Sequence, residues 1–297
     1  AVPPFSHRLS LRPEYPGFPR GRARSFEERW VRGKAEAFRV QRLFWESLFR
    51  AEDARLYVSW YRYDTRHHAM TAAIRALGGV GVIYQRAAQD YSSPAIAVEA
   101  DVMFGYAPFD ATIEQRSGSV IPYHVAVGYL HDHCFPALSG VGGAIRATLR
   151  QHGARTILAY FDENSIDDDR WHTGHDFMHE NYAFLLQRVL EDPTLGLVLK
   201  PKHVVSLRAR LGVVAELLEQ AIGTGRCYLF DAGTLYSAYP PAVAALAADI
   251  AIHGHASSPT AGLEAALLGV PTVLLDREGW SVSPLYMLGV GRTMFTN

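Results

Sequence analysis

The chain has 297 residues, 48% of them hydrophobic and 20% charged, which suits one large or two ordinary soluble domains with filled cores. Lys and Arg (29) nearly cancel Asp and Glu (30), so no basic excess points to nucleic acid. Cys134 and Cys227 are far apart and form no CxxC pair, which argues against a zinc ribbon or a disulfide scaffold and suits a reducing cytoplasm. No apolar run reaches the roughly 20 residues of a membrane span.

Residues 1–24, rich in Pro, Arg and Gly, read as an irregular arm. Ser25 and Glu28 form a capping box for a long amphipathic helix ending near Asp53. A strand is expected at 55–60, a helix at 67–77 closed by Gly78-Gly79, and strands at 80–85, 101–106 and 123–130. Glycines 140, 142 and 143 punctuate the chain before a short helix ending at Gln151. Beyond Gly153 strands at 156–161, 196–199, 227–230, 249–253 and 271–275 alternate with helices near 175–191, 204–221, 240–248 and 260–268. Crossovers of that length belong to parallel sheets. The expected fold is therefore α/β, with two Rossmann-like domains facing a cleft: residues 1–150 on the acceptor side and 151–297 binding nucleotide. The chain opens without Met or a signal-peptide pattern and stops on an apolar stretch with no closing helix, which suggests a piece of a longer polypeptide.

The densest chemistry lies in ADIAIHGHASSPTAGLEAALLGVPTVLLD, from Ala248 to Asp276. A strand runs into a small polar turn and then a helix starting at Thr260. Unpaired amides at such a helix start, with the positive end of its dipole, suit a phosphate. Ser257, Ser258 and Thr260 add hydroxyls, Ala261 lies in the same first turn, and Gly262 lets a ligand approach the backbone. Glu264, one turn on, is placed to accept hydrogen bonds from a ribose diol. The plainer alternative is a capped helix with Glu264 in solvent.

The string SSPTAGLEAALLGVPTVLLD resembles the signature of GT-B glycosyltransferases, particularly bacterial surface and capsular polysaccharide transferases. LVLKPKH (197–203) is similar to their strand-end "K-P-H", although the order here is Lys-Pro-Lys-His. The resemblance covers about residues 150–297. It implies a metal-independent enzyme with no cofactor, whose substrate is a nucleotide-sugar donor and whose acceptor is a surface glycan or glycolipid. Lys200 and His203 would reach the donor phosphate, and Tyr236 would lie in the nucleotide region. It also implies a cytoplasmic place, with peripheral association with the inner membrane or with a larger biosynthetic protein. A sugar-nucleotide 2-epimerase or hydrolase of the same fold, and a non-catalytic binding module, are the alternatives.

Other candidates stand at strand ends. Asp162, Glu163 and Asn164 follow the 156–161 strand and are expected to face the cleft. Asp64, His131 and Asp132 are candidate general bases. His131-Asp132-His133 lacks a third metal ligand at recognisable spacing. His172, His175 and His179 could share a helix face, and Gln85-Arg86 could touch an acceptor anion.

Overall fold

The computed structural model describes residues 23–296, except 63, 65, 163–164, 168–173, 232–238, 257, 278 and 282. Glu163, Asn164, Tyr236, Ser257, His172 and nearly all of the arm thus lie outside the described residues. The chain divides into two compact units: residues 1–86 with 92–129, and 87–91 with 130–297.

The first unit begins with α1 (Phe26–Ala51), where the Ser25 hydroxyl accepts from the Glu28 amide as the capping box predicts. The elements β1 (Leu56–Ser59), α2 (Arg66–Ala76), β2 (Val80–Tyr84), β3 (Val102–Gly105), α3 (Pro108–Ser117) and β4 (Tyr123–Ala126) follow. The helix α3 is not among the elements expected from the sequence. The four strands form a wholly parallel sheet in the order β1-β2-β3-β4. Ala69, Ala73 and Ile74 of α2 are buried, as are Ile83 and Met103 of the sheet. On the strands' other side Leu56, Val58, Tyr123 and Val125 are exposed. Arg62 is buried and paired with Glu114, Nη2 lying 2.8 Å from Oε2. Gln85 is buried too: it donates to Asp110 (3.1 Å) and accepts from the Tyr106 amide (2.7 Å), so it serves the fold rather than an acceptor. Arg86 lies over the Trp60 ring at 4.5 Å.

The second unit holds α4 (Phe135–Gln151), β5 (Thr156–Phe161), α5 (His175–Glu191), β6 (Leu195–Lys200), α6 (Leu207–Leu211), α7 (Ala215–Gly223), β7 (Cys227–Leu229), α8 (Pro241–Ala247), β8 (Ile250–His253), α9 (Thr260–Leu267), β9 (Thr272–Leu275) and β10 (Met294–Phe295). Its six strands are all parallel, in the order β10-β9-β8-β5-β6-β7. Counted from β5 this is 6-5-4-1-2-3, the order of a dinucleotide-binding sheet. Ile157, Ala159 and Phe161 of β5 pack with α4, α8 and α9, whereas Leu158 and Tyr160 pack with α5, α6 and α7. Both faces of β5 are therefore covered, as a parallel sheet requires.

Three expectations need correction. The glycines at 140, 142 and 143 do not precede a short helix but lie inside α4. Gly142 is there because α8 approaches closely: a Cβ would stand 2.5 Å from Leu246 Cβ and 3.1 Å from the Val243 carbonyl. The single helix expected over 204–221 is broken at Gly212, whose φ is 52°, so that α6 and α7 form separately. The division of the chain falls at 129/130, before α4, rather than near Gln151. Arg146 of α4 explains why: it pairs with Asp249 and donates to the Ala248 carbonyl (3.0 Å), tying α4 to the start of β8.

Candidate functional site

In the second unit β5 is flanked by β6 and β8, which lead away in opposite directions. The crevice beyond the carboxyl ends at such a reversal is where open α/β sheets bind ligands. Phe161 is level with Lys200 on one side and His253 on the other, so the next residues of all three strands share this edge.

Asp162, the residue after β5, is buried. Its Oδ1 accepts from the Lys202 amide (2.7 Å) and its Oδ2 from the Tyr182 hydroxyl (3.1 Å), with Arg210 Nη2 3.6 Å away. Burial and the Asp162 carboxylate push the Tyr182 phenol well up, so it remains a donor. Asp162 thereby fixes the Lys200–His203 turn to the end of β5. Arg210 completes the frame, donating to the Ser165 hydroxyl (3.0 Å) and the His203 carbonyl (3.1 Å). Sequence gave no sign of Arg210, one of several arginines in a helical stretch. His175 Nδ1 lies 2.7 Å from the Ser165 hydroxyl, and His179 Nε2 lies 2.6 Å from the Arg210 carbonyl. These two histidines of α5 therefore belong to the same frame.

Lys200 projects its ammonium over the Phe230 ring at 5.8 Å. Burial lowers its pKa, against the carboxylates of Asp162 and Glu264, which favour the charged form. The structure thus brings three expected site residues, Lys200, Asp162 and Glu264, into one electrostatic neighbourhood.

The turn before α9 departs from expectation in detail. Glu264 is not a solvated helix residue: it is 4% exposed and its Oε2 accepts from the Ala242 amide (2.7 Å), in the first turn of α8. Glu264→Gln should therefore cost about 1–3 kcal/mol of stability in urea unfolding, the penalty for disturbing a buried hydrogen bond. A change within about 0.5 kcal/mol, as for an exposed helix position, would contradict that role. Thr260 does not offer its amide outward either, because its N–H donates to the Ser258 carbonyl (2.8 Å). Its hydroxyl accepts from the Ala88 amide (2.9 Å). Gly262 packs inward, where a Cβ would meet Leu274 Cδ2 at 3.1 Å, so its small size serves helix–sheet contact rather than ligand approach. The amides of Ala261 and Gly262 stand in the first turn, where a helix provides no carbonyl partner. His253 and His255 are buried beside the turn, His253 Nδ1 lying 2.8 Å from the His255 carbonyl.

Of the candidate bases, Asp64 caps α2. It accepts from the Arg66 amide (2.9 Å) and the Arg66 Nε (2.6 Å), bonds that hold its carboxyl below the ordinary range. His131 and Asp132 are exposed and group with the second unit. Asp132 opens a single 3-10 turn, after which His133 Nε2 lies 3.2 Å from Cys134 Sγ. Among the described residues no cluster of three or more His, Cys, Asp or Glu could hold a metal. Among them, too, no helix is long and apolar enough to cross a membrane. An apolar groove of about 630 Å³ lies on the sheet face, lined by Leu158, Ile252, Val273, Leu275 and Phe184 and reaching Arg277.

No family model and no curated protein matches the chain. Among solved structures it is similar to an α,α-trehalose 6-phosphate synthase from Burkholderia multivorans, with a TM-score of 0.43 and 14% identity over 84% of this chain and 62% of that one. A UDP-forming α,α-trehalose-phosphate synthase from Burkholderia vietnamiensis gives 0.43 and 12%, over 84% and 63%. The N-terminal domain of trehalose-6-phosphate phosphatase from Candida albicans gives 0.49 and 11%, over 89% and 65%. The chain spans less than two thirds of the length of each of these structures.

Proposed function

We propose that the second unit binds a nucleotide-activated sugar at its carboxyl edge, and that the chain is a GT-B-type glycosyltransferase. The observation that carries this reading is the placement of Lys200, Asp162, Glu264 and the start of α9 at the reversal point of a 6-5-4-1-2-3 parallel sheet. In this reading Lys200 and the Ala261 and Gly262 amides receive the donor phosphates. Their positive charge stabilises the leaving nucleotide, the term that dominates when the protein does no covalent work on the phosphate. Metal independence, a surface glycan or glycolipid acceptor, and a base drawn from His131, Asp132 or Asp64 belong to the proposal. A cytoplasmic setting and association with the inner membrane or a larger biosynthetic protein belong to it as well.

The test is titration with CMP, UDP, GDP and CDP by calorimetry; binding of none at millimolar concentration sinks the reading. A pH series adds a sign. Because burial lowers the Lys200 pKa, phosphate affinity should fall with rising pH at a lower pH than for an ordinary lysine. Lys200→Arg should abolish that fall, since guanidinium keeps its proton. The stability change has the opposite sense: the free enzyme bears the cost of a buried ammonium below this lowered pKa and sheds it as pH rises through it. A fall that persists in the arginine variant would assign it to another group.

A further inference from the structure

Residues 87–91 leave the first unit after β2, group with the second unit, and return to the first at Ser92. This short strap sits on the turn before α9. The Ala88 amide donates to the Thr260 hydroxyl (2.9 Å), and the Tyr91 ring lies 5.3 Å from Trp280. Between them Asp90 is 2% exposed, and its Oδ1 accepts from the Ser258 amide at 3.3 Å. Ser258 has a φ of 54°, in the left-handed region, which turns this amide toward the strap. No described residue donates to the other oxygen, Oδ2, which is buried as well. Burial pushes the Asp90 carboxyl up, against the Ser283 hydroxyl, the Ser258 amide and the charge of nearby His255.

A carboxylate on the Ser258 amide stands in the same turn whose Ala261 and Gly262 amides the proposed function gives to a phosphate. The two anions would repel each other at short range. A buried carboxylate oxygen without a donor is costly, so the strap's seat is a weak one. We propose that Asp90 is an internal anion that occupies the α9 turn, and that a phosphate-bearing ligand binds there by displacing the 87–91 strap. This inference rests on the nucleotide reading, and it makes a prediction of unusual sign: removing an acid in the site strengthens binding.

The experiment titrates the full chain, its Asp90→Asn and Asp90→Ala variants, and a Lys200→Ala control with pyrophosphate and with UDP. Both Asp90 variants should bind roughly tenfold more tightly than the parent, the scale of one charge-assisted hydrogen bond. In the parent, pyrophosphate should also speed amide hydrogen exchange at Ala88. Equal binding by parent and Asp90 variants, lost in Lys200→Ala, overturns the strap while leaving the nucleotide site. Weaker binding by the Asp90 variants also overturns it, because Asp90 would then hold the ligand. Absence of binding in every protein overturns both.

Discussion

Arg62→Met is expected to lower the stability of the first unit by about 3–5 kcal/mol, the range found when one partner of a buried ion pair is removed. Arg62 and Glu114 have side-chain exposures of 5% and 6%, so water cannot replace the lost partner. The Ser119 hydroxyl, 2.6 Å from Glu114 Oε2, remains but carries no charge. Urea unfolding of the full chain measures the loss as a shift of the first unit's midpoint. Adding Glu114→Leu should restore much of it, since the isolated buried carboxylate causes the cost. A single-variant loss below about 1 kcal/mol would place the pair among exposed bridges.

The second large effect belongs to Asp162. Asp162→Ala removes the acceptor of the Lys202 amide and of the buried Tyr182 hydroxyl, and strips Arg210 of its carboxylate. The cost should again be about 3–5 kcal/mol, because a buried guanidinium is left without its counter-charge. Tyr182→Phe, which removes one neutral donor, should cost about 1 kcal/mol. If the Lys200–His203 turn positions the donor phosphates, UDP affinity falls in Asp162→Ala and changes little in Tyr182→Phe. Unchanged UDP affinity in folded Asp162→Ala would mean that Asp162 acts on stability alone.

Much of the second unit was legible because its strands announce themselves. Leu195–Lys200 and Thr156–Phe161 are apolar runs bounded by turns, and Thr260–Leu267 starts after a Ser-Pro stop. Their alternation with helices is enough to imply a parallel sheet. The turn chemistry was harder to read, because it depends on segments distant in sequence. Asp90 lies 168 positions from Ser258 and looks like any loop acid until the strap is placed. Glu264 carries no mark of burial either, since its partner amide belongs to α8. The glycines of α4 misled for a related reason. Isolated glycines inside a helix suggest a break, but at Gly142 the neighbouring α8 needs the space. In the first unit α3 is short and polar, with Asp110, Glu114 and Arg116 interrupting any clear apolar period.

The strand order also has a consequence for the time course of folding. Central β5 meets β6 after a single crossover, but its other neighbour, β8, arrives much later in the chain. The Ile157 amide donates to the Asp249 carboxylate (2.8 Å), from 92 positions away. During synthesis one long edge of β5 must wait, unpaired and apolar, until the chain beyond His253 has left the ribosome. Until then Ile157, Ala159 and Phe161 lack the α8 and α9 cover that buries them. Pairings of such separation close slowly, because the loop entropy is spent before the contact forms. Nascent chains halted between α7 and β8 should accordingly be the ones that need a chaperone's hold.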